Sequence, residues 1–165
     1  MLRVVLCLLM ISGVTFGQVQ PSDEKIKKDT TAFQIAVNDV LGITVPGLGA
    51  GISVARAAYL DGYGIVVTAE VALVPPRNPF SAIGTPEQIR TMVAQRRKDS
   101  VAKLTNLLKE KVPALESIGP TESVAIIVNL LNTNPADVPD FVPQIILSVK
   151  KQNAASAPIN VREYK

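Results

Sequence analysis

The stretch with the most distinctive chemistry is Tyr59-Leu60-Asp61-Gly62-Tyr63-Gly64, which holds two of the three tyrosines of the chain. Arg56 stands just before it, and Thr68 and Glu70 follow it. Asp61-Gly62 is a strong hairpin turn signal between two apolar runs. Turn chemistry alone accounts for the glycines, and tyrosines suit half-buried strand ends. The functional reading adds a tip that contacts a ligand or partner through Arg56, Tyr59, Asp61, Tyr63, Thr68 and Glu70.

Loop length decides how Arg56 and Glu70 relate. A loop of two or four residues would place Arg56 on the face of Ile65, Val67 and Val71. A loop of three would place it with Thr68 and Glu70. It would also gather Ala55, Ala57, Tyr59, Ile65, Val67, Val71 and Leu73 on the other face. Burying an unpaired guanidinium is costly, so the three-residue turn is expected. Arg56 and Glu70 are then same-face neighbours, either an exposed ion pair of small energetic value or part of a polar site on an open sheet face.

Other chemistries find little support. The chain has no His and no Trp, and a single Cys, Cys7. A Ser/His/Asp triad is therefore impossible, and no Cys/His metal site or disulfide framework can be assembled. No cofactor or metal is expected. Ser and Lys are both present, but no local motif marks a Ser–Lys dyad. Asp61, Glu70 and Asp99 would pair only through long-range contact. Gly47-Leu48-Gly49-Ala50-Gly51 looks like a phosphate loop, but the dinucleotide fingerprint needs a strand before the glycines and a helix after. Here that order is reversed. Arg96-Arg97-Lys98 with Lys103 reads as a solvated helix face, with Arg97 inside the apolar arc and able to snorkel. A net charge of +3 spread along 165 residues lacks the concentrated basic face of a nucleic-acid binder.

The chain opens with MLRVVLCLLMISGVTFGQVQ. One positive charge, an apolar run, and small residues at Thr15 and Gly17 follow the order of a secretory signal peptide. The run is too short to span a bilayer, which takes about 20 residues. Residues 1–17 are expected to be a cleaved leader, 18–152 a single domain, and 153–165 a flexible Ala/Ser/Pro-rich tail. With Cys7 removed, the body has neither thiol nor imidazole. An exported, periplasmic or secreted protein follows, with no transmembrane span after cleavage.

The elements that must position the hairpin follow from periodicity. Phe33, Ala36, Val37, Val40 and Leu41 mark one helical face, and Gly42 ends it. Residues 52–60 and 65–74 read as strands. Thr85-Pro86-Glu87-Gln88 is a capping box with Pro at the first helical position. It opens a long amphipathic helix on Ile89, Met92, Val93, Val101, Leu104, Leu107 and Leu108, limited by Pro113. Residues 123–131 and 144–151 are two more strands, the last alternating Ile145, Leu147 and Val149 with Gln144, Ser148 and Lys150. The order α-β-β-α-β-β predicts an α+β two-layer sandwich, a mainly antiparallel four-stranded sheet with two helices on one face.

The piece from Val54 to Val74, with its Tyr-Leu-x-Gly-Tyr-Gly-like turn, resembles a hairpin of uncharacterised exported bacterial proteins. In those, an acidic residue sits in the following apolar strand, and a later strand ends in paired lysines, as Ser148-Val149-Lys150-Lys151 does here. The resemblance implies a bacterial envelope protein and carries over no catalytic residue. The expected function is a non-enzymatic binding or assembly module of the cell envelope, its partner a protein or another envelope component. The alternatives are a small-ligand-binding protein or carboxylate-dependent hydrolase, and an envelope structural protein anchored by its N-terminus.

Overall fold

The structure is a computed structural model that describes residues 22–42, 55–73, 84–131, 138 and 141–164. The expected leader, the Gly47–Gly51 segment and the start of the first expected strand lie outside the described residues. Seven main elements follow in chain order among the described residues: helix α1 (Asp23–Leu41), strands β1 (Arg56–Leu60) and β2 (Gly64–Ala72), helix α2 (Pro86–Lys111), and strands β3 (Ser123–Leu131), β4 (Gln144–Lys150) and β5 (Asn160–Tyr164). The α+β class holds.

Both helices form where the sequence places them. Phe33 and Val37 of α1 are fully buried, with Ala36, Val40 and Leu41 packed beside them. The N–H of Gly42 closes the helix on the carbonyls of Asn38 and Asp39. In α2, the Thr85 hydroxyl accepts from the Gln88 N–H at 3.3 Å, and the Gln88 side chain accepts from the Thr85 N–H at 2.9 Å. Ile89, Val93, Leu104, Leu107 and Leu108 are its buried stripe. Pro113 sits in the single 3-10 turn that follows α2, because a proline has no N–H to continue the helical ladder.

The sheet departs from expectation in two ways. It has five strands rather than four, in the order β1-β2-β3-β4-β5. It is also mixed: β2 and β3 are parallel, while the other three neighbouring pairs are antiparallel. The parallel pair follows from α2. Parallel strands need a crossover of a dozen or more residues, and a helix of 26 residues is about 39 Å long at 1.5 Å per residue. That returns the chain past the whole of β2, and Ser123 at the start of β3 aligns with Gly64 at the start of β2.

The fifth strand is a correction to the expected tail. Asn160, Arg162 and Tyr164 pair with Ser148, Ile146 and Gln144 of β4. The turn before it is anchored by fully buried Ala154, with Ile159 packed against the core. All five residues of β5 are exposed. Its order comes from the backbone ladder and not from burial, so it carries no hydrophobic period to read.

Core side chains lie between the helices and one sheet face. Ile65, Val67, Ala69, Leu73, Val124, Ile126, Val128, Ile145 and Leu147 are all at most 2% exposed. At one sheet edge α1 also serves the backbone. Asn38 Oδ1 accepts from the Ala55 N–H at 2.8 Å, and Gln34 Oε1 accepts from the Ala57 N–H at 3.2 Å. Residues four apart on a helix share a face, and alternate N–H groups of an edge strand point outward, so the two amides match the two donors. An uncovered edge is a template for pairing with another chain; here β1 is closed by side chains.

The edge contacts and the tight turn can each be tested by substitution. Asn38→Ala, which orphans the N–H of a fully buried residue, is expected to cost about 1–3 kcal/mol and to increase self-association. Gln34→Ala is expected to cost less, since Ala57 is only half-buried. Chemical denaturation and light scattering measure both. At Gly64, with φ 116°, an added Cβ would lie 2.2 Å from the Ser123 carbonyl oxygen, whereas at Gly62, with φ 72°, it would meet nothing within 4 Å. Gly64→Ala is therefore expected to cost about 3 kcal/mol or more, against about 1 kcal/mol for Gly62→Ala, by urea titration.

Candidate functional site

Three residues, Asp61, Gly62 and Tyr63, separate the paired ends Leu60 and Gly64. Arg56 accordingly lies opposite Thr68, and both are exposed. Glu70, also exposed, lies two residues further along the same face of β2. The Thr68 hydroxyl donates to the Arg56 carbonyl at 3.5 Å. Ala55, Ile65, Val67 and Leu73 are buried on the opposite face, and Ala57, Tyr59 and Val71 are packed against the core there.

This parity leaves one side of the sheet without helices among the described residues. Across it run two cross-strand rows. The first is Arg56, Thr68, Ile127, Ile146, Arg162; the second is Ala58, Val66, Ala125, Ser148, Asn160. Strand spacing of about 4.8 Å sets the two arginine backbones of the first row about 19 Å apart. Between them the surface is apolar, with Val66, Ile127 and Ile146 half-buried beside Ala125. Further along, the Gln144 amide donates to Asn129 Oδ1 at 2.9 Å, and Tyr164 stands exposed at the rim.

The two tyrosines of the hairpin separate. Tyr59 is on the helix side, and its hydroxyl donates to Glu122 Oε1 at 2.8 Å. The other Glu122 oxygen accepts from the Gly119 N–H. Burial first, then the hydrogen bond to Glu122 and the negative charges of Glu122 and Asp61, push the Tyr59 phenol up to about 12. Tyr59 thus joins the hairpin to the turn before β3 and does not share a surface with Arg56, Thr68 and Glu70. Tyr63 takes the other side. Its N–H donates to the Leu60 carbonyl at 3.0 Å, and its carbonyl accepts from the Ser123 N–H at 2.6 Å. That second bond pins the tip to β3. Asp61 is exposed at the tip.

Tyr63 lines a cleft of about 320 Å³ with Ser123, Ser148, Lys150, Asn153 and Asn160. Only Tyr63 belongs to the residues that the sequence marks as contacts. The others come from β3, β4, β5 and the turn between the last two, and no local spacing announces them. Lys150 and Lys151, the paired lysines at the end of β4, divide between two tasks. Lys150 faces the cleft. Lys151 turns inward, its ammonium donating to the carbonyls of Leu115 and Ile118 in the connection from α2 to β3.

Two members of the basic run on α2 are tied into the structure, while Lys98 and Lys103 are exposed. Arg96 donates to the Leu73 carbonyl at 2.8 Å, and Arg97 reaches Glu163 of β5 at 3.7 Å. Arg90 and Arg97 also edge a second, apolar cavity of about 230 Å³ between α2 and the ends of β2 and β3, walled by Leu73, Val93, Leu130 and Phe141. Among the described residues, no group of three His, Cys, Asp or Glu side chains is placed to hold a metal ion, and no helix is long and apolar enough to cross a membrane.

The Tyr59 hydrogen bond has a pH signature. The folded state holds the phenol proton more tightly than the unfolded chain, whose tyrosines titrate near the ordinary value of 10.0. The stabilisation is therefore complete below about pH 10 and is lost as pH rises toward about 12. Tyr59→Phe is expected to lose about 1 kcal/mol near neutral pH and to show a flatter decline than the parent between pH 10 and 12. Denaturant midpoints measured across that range check both.

Neither a family model nor a curated protein nor a solved structure matches this chain.

Proposed function

We propose that this protein is a non-enzymatic binding module of the bacterial cell envelope whose contact surface is the helix-free face of its sheet. Export rests on the leader-like first segment and on the resemblance of the hairpin to exported bacterial proteins. The observation that carries the contact surface is the row Arg56, Thr68, Ile127, Ile146, Arg162. A sheet face with an apolar middle and a guanidinium at each flank suits a partner that offers apolar surface between carboxylates or phosphates. Arginine favours such contacts because its planar fork pairs with those groups in two-pronged fashion.

The small-ligand reading also has an observation behind it. Tyr63 and Lys150 converge on one cleft at the end of the same face, as that reading requires. The hydrolase form of it has less support: neither Asp61 nor Glu70 lines the cleft, so no carboxylate from the hairpin is placed to activate water there. Anchoring by a retained N-terminus is a matter for the intact mass of the exported protein.

A photo-crosslinking residue placed at Thr68 and, separately, at Lys98 on the exposed side of α2 tests the contact surface in intact cells. Adducts from Thr68 but not from Lys98 are expected, and the double variant Arg56→Glu, Arg162→Glu should abolish them while leaving the circular dichroism spectrum unchanged. Adducts confined to Lys98 would remove the proposal.

A further inference from the structure

We propose that the cleft beside Tyr63 binds a small hydroxylated monoanion, of the acidic-monosaccharide class. The inference rests on the small-ligand reading and names the chemistry of that ligand.

Charge sets the first requirement. Among the described residues that line the cleft, Lys150 is the one cation and none is a carboxylate. Glu122, the residue before Ser123, has one oxygen taken by Tyr59 and the other by the Gly119 N–H. A ligand with one negative charge is matched by one ammonium.

Hydrogen-bonding character sets the second. The remaining polar side chains are hydroxyls and amides: Ser123, Ser148, Tyr63, Asn153 and Asn160. Each both donates and accepts. Asn160 donates to the Ser148 oxygen at 3.4 Å, a long bond that leaves the Ser148 proton and the Asn160 carbonyl oxygen for another partner. An inorganic phosphate offers many acceptors and would leave these lone pairs unmatched. Sugar hydroxyls donate and accept in the same way as the side chains do.

Shape supplies the third. The cleft, at about 320 Å³, sits at the small end of the usual 300–1,000 Å³ range for ligand sites, which suits a single ring. Tyr63, 40% exposed, offers an aromatic face for the C–H side of that ring. The walls are also preformed. Ser123, Ser148 and Asn160 are held on three adjacent strands, and the Tyr63 carbonyl is fixed to the Ser123 N–H at 2.6 Å. A site that is already ordered loses less entropy on binding.

The test is an NMR titration of the full isotope-labelled chain with galacturonate, galactose and inorganic phosphate. Galacturonate is expected to shift the amides of Tyr63, Ser123, Ser148, Lys150 and Asn160. Galactose and phosphate should each bind about tenfold more weakly, the loss of one charge-assisted hydrogen bond or its equivalent. Lys150→Gln, at an exposed position, should lower galacturonate binding to the galactose level with an unchanged circular dichroism spectrum, and Lys98→Gln, on the exposed side of α2, should leave galacturonate binding unchanged. Equal binding of galactose and galacturonate, phosphate binding as tightly as galacturonate, shifts centred elsewhere, or no shifts at all would each overturn the proposal. Crosslinking at Thr68 reads the wider contact surface separately. Adducts that persist when the cleft fails to bind would leave that surface standing, and galacturonate binding without Thr68 adducts would support the cleft alone.

Discussion

Everything on this sheet depends on the parity of one turn. Side chains alternate sides along a strand, so a slip of one residue moves every side chain of β1 to the other face. With Asp61, Gly62 and Tyr63 between the paired ends, Ala57 and Tyr59 of β1 meet the helix-side core and Arg56 meets solvent. With one residue more or fewer, Arg56 would be driven under α1 into the apolar layer. The cost of that burial, several kcal/mol for an uncompensated charge, exceeds anything a different turn would recover. The same parity sends Tyr59 toward Glu122 and leaves Tyr63 on the tip that closes the cleft.

A second constraint reinforces the first. The crossover through α2 brings β3 against β2 so closely that Gly64 has no room for a side chain. The tip of the hairpin is then locked to the start of β3 by the Tyr63 carbonyl and the Ser123 N–H. The side chains of this region are thereby placed on backbone that cannot slide. The two sheet edges are handled differently. At β1, Gln34 and Asn38 answer the outward N–H groups. At β5, the strand is short and carries Arg162 and Glu163, charges that discourage pairing with another chain.

Elements with strong periodicity are legible from residue order. The capping box of α2, the buried stripe of α1 and the alternation of β4 each state a local physical preference, and each appears in place. The Arg56–Thr68–Glu70 face is legible too, because a charge argument over register needs only the two strands and the turn. Two features are not legible. The parallel pairing of β2 and β3 is hidden because these neighbours in space are separated along the chain by α2 and its connections, although the long helix between them is itself the sign of a crossover. The strand β5 is hidden because none of its residues is buried, so composition reads it as a tail. Tyr59, which shares one motif with Tyr63, serves the interior because it stands in β1 on the helix-side face, whereas Tyr63 belongs to the turn itself.

What the amino-acid order determined alone is therefore local: where helices begin and end, which strand faces are apolar, that the body past Cys7 has neither imidazole nor thiol, and which side of the sheet Arg56 must occupy. What only the tertiary structure decided is the company each residue keeps. Ser123, Ser148, Lys150, Asn153 and Asn160 share a cleft with Tyr63 because three successive strands pair side by side about 5 Å apart and the hairpin tip is bonded to the first of them. Burial of the opposite face fixes which side of each strand they occupy, but which strands pair is settled across the connections between them, so no local spacing announces the cleft.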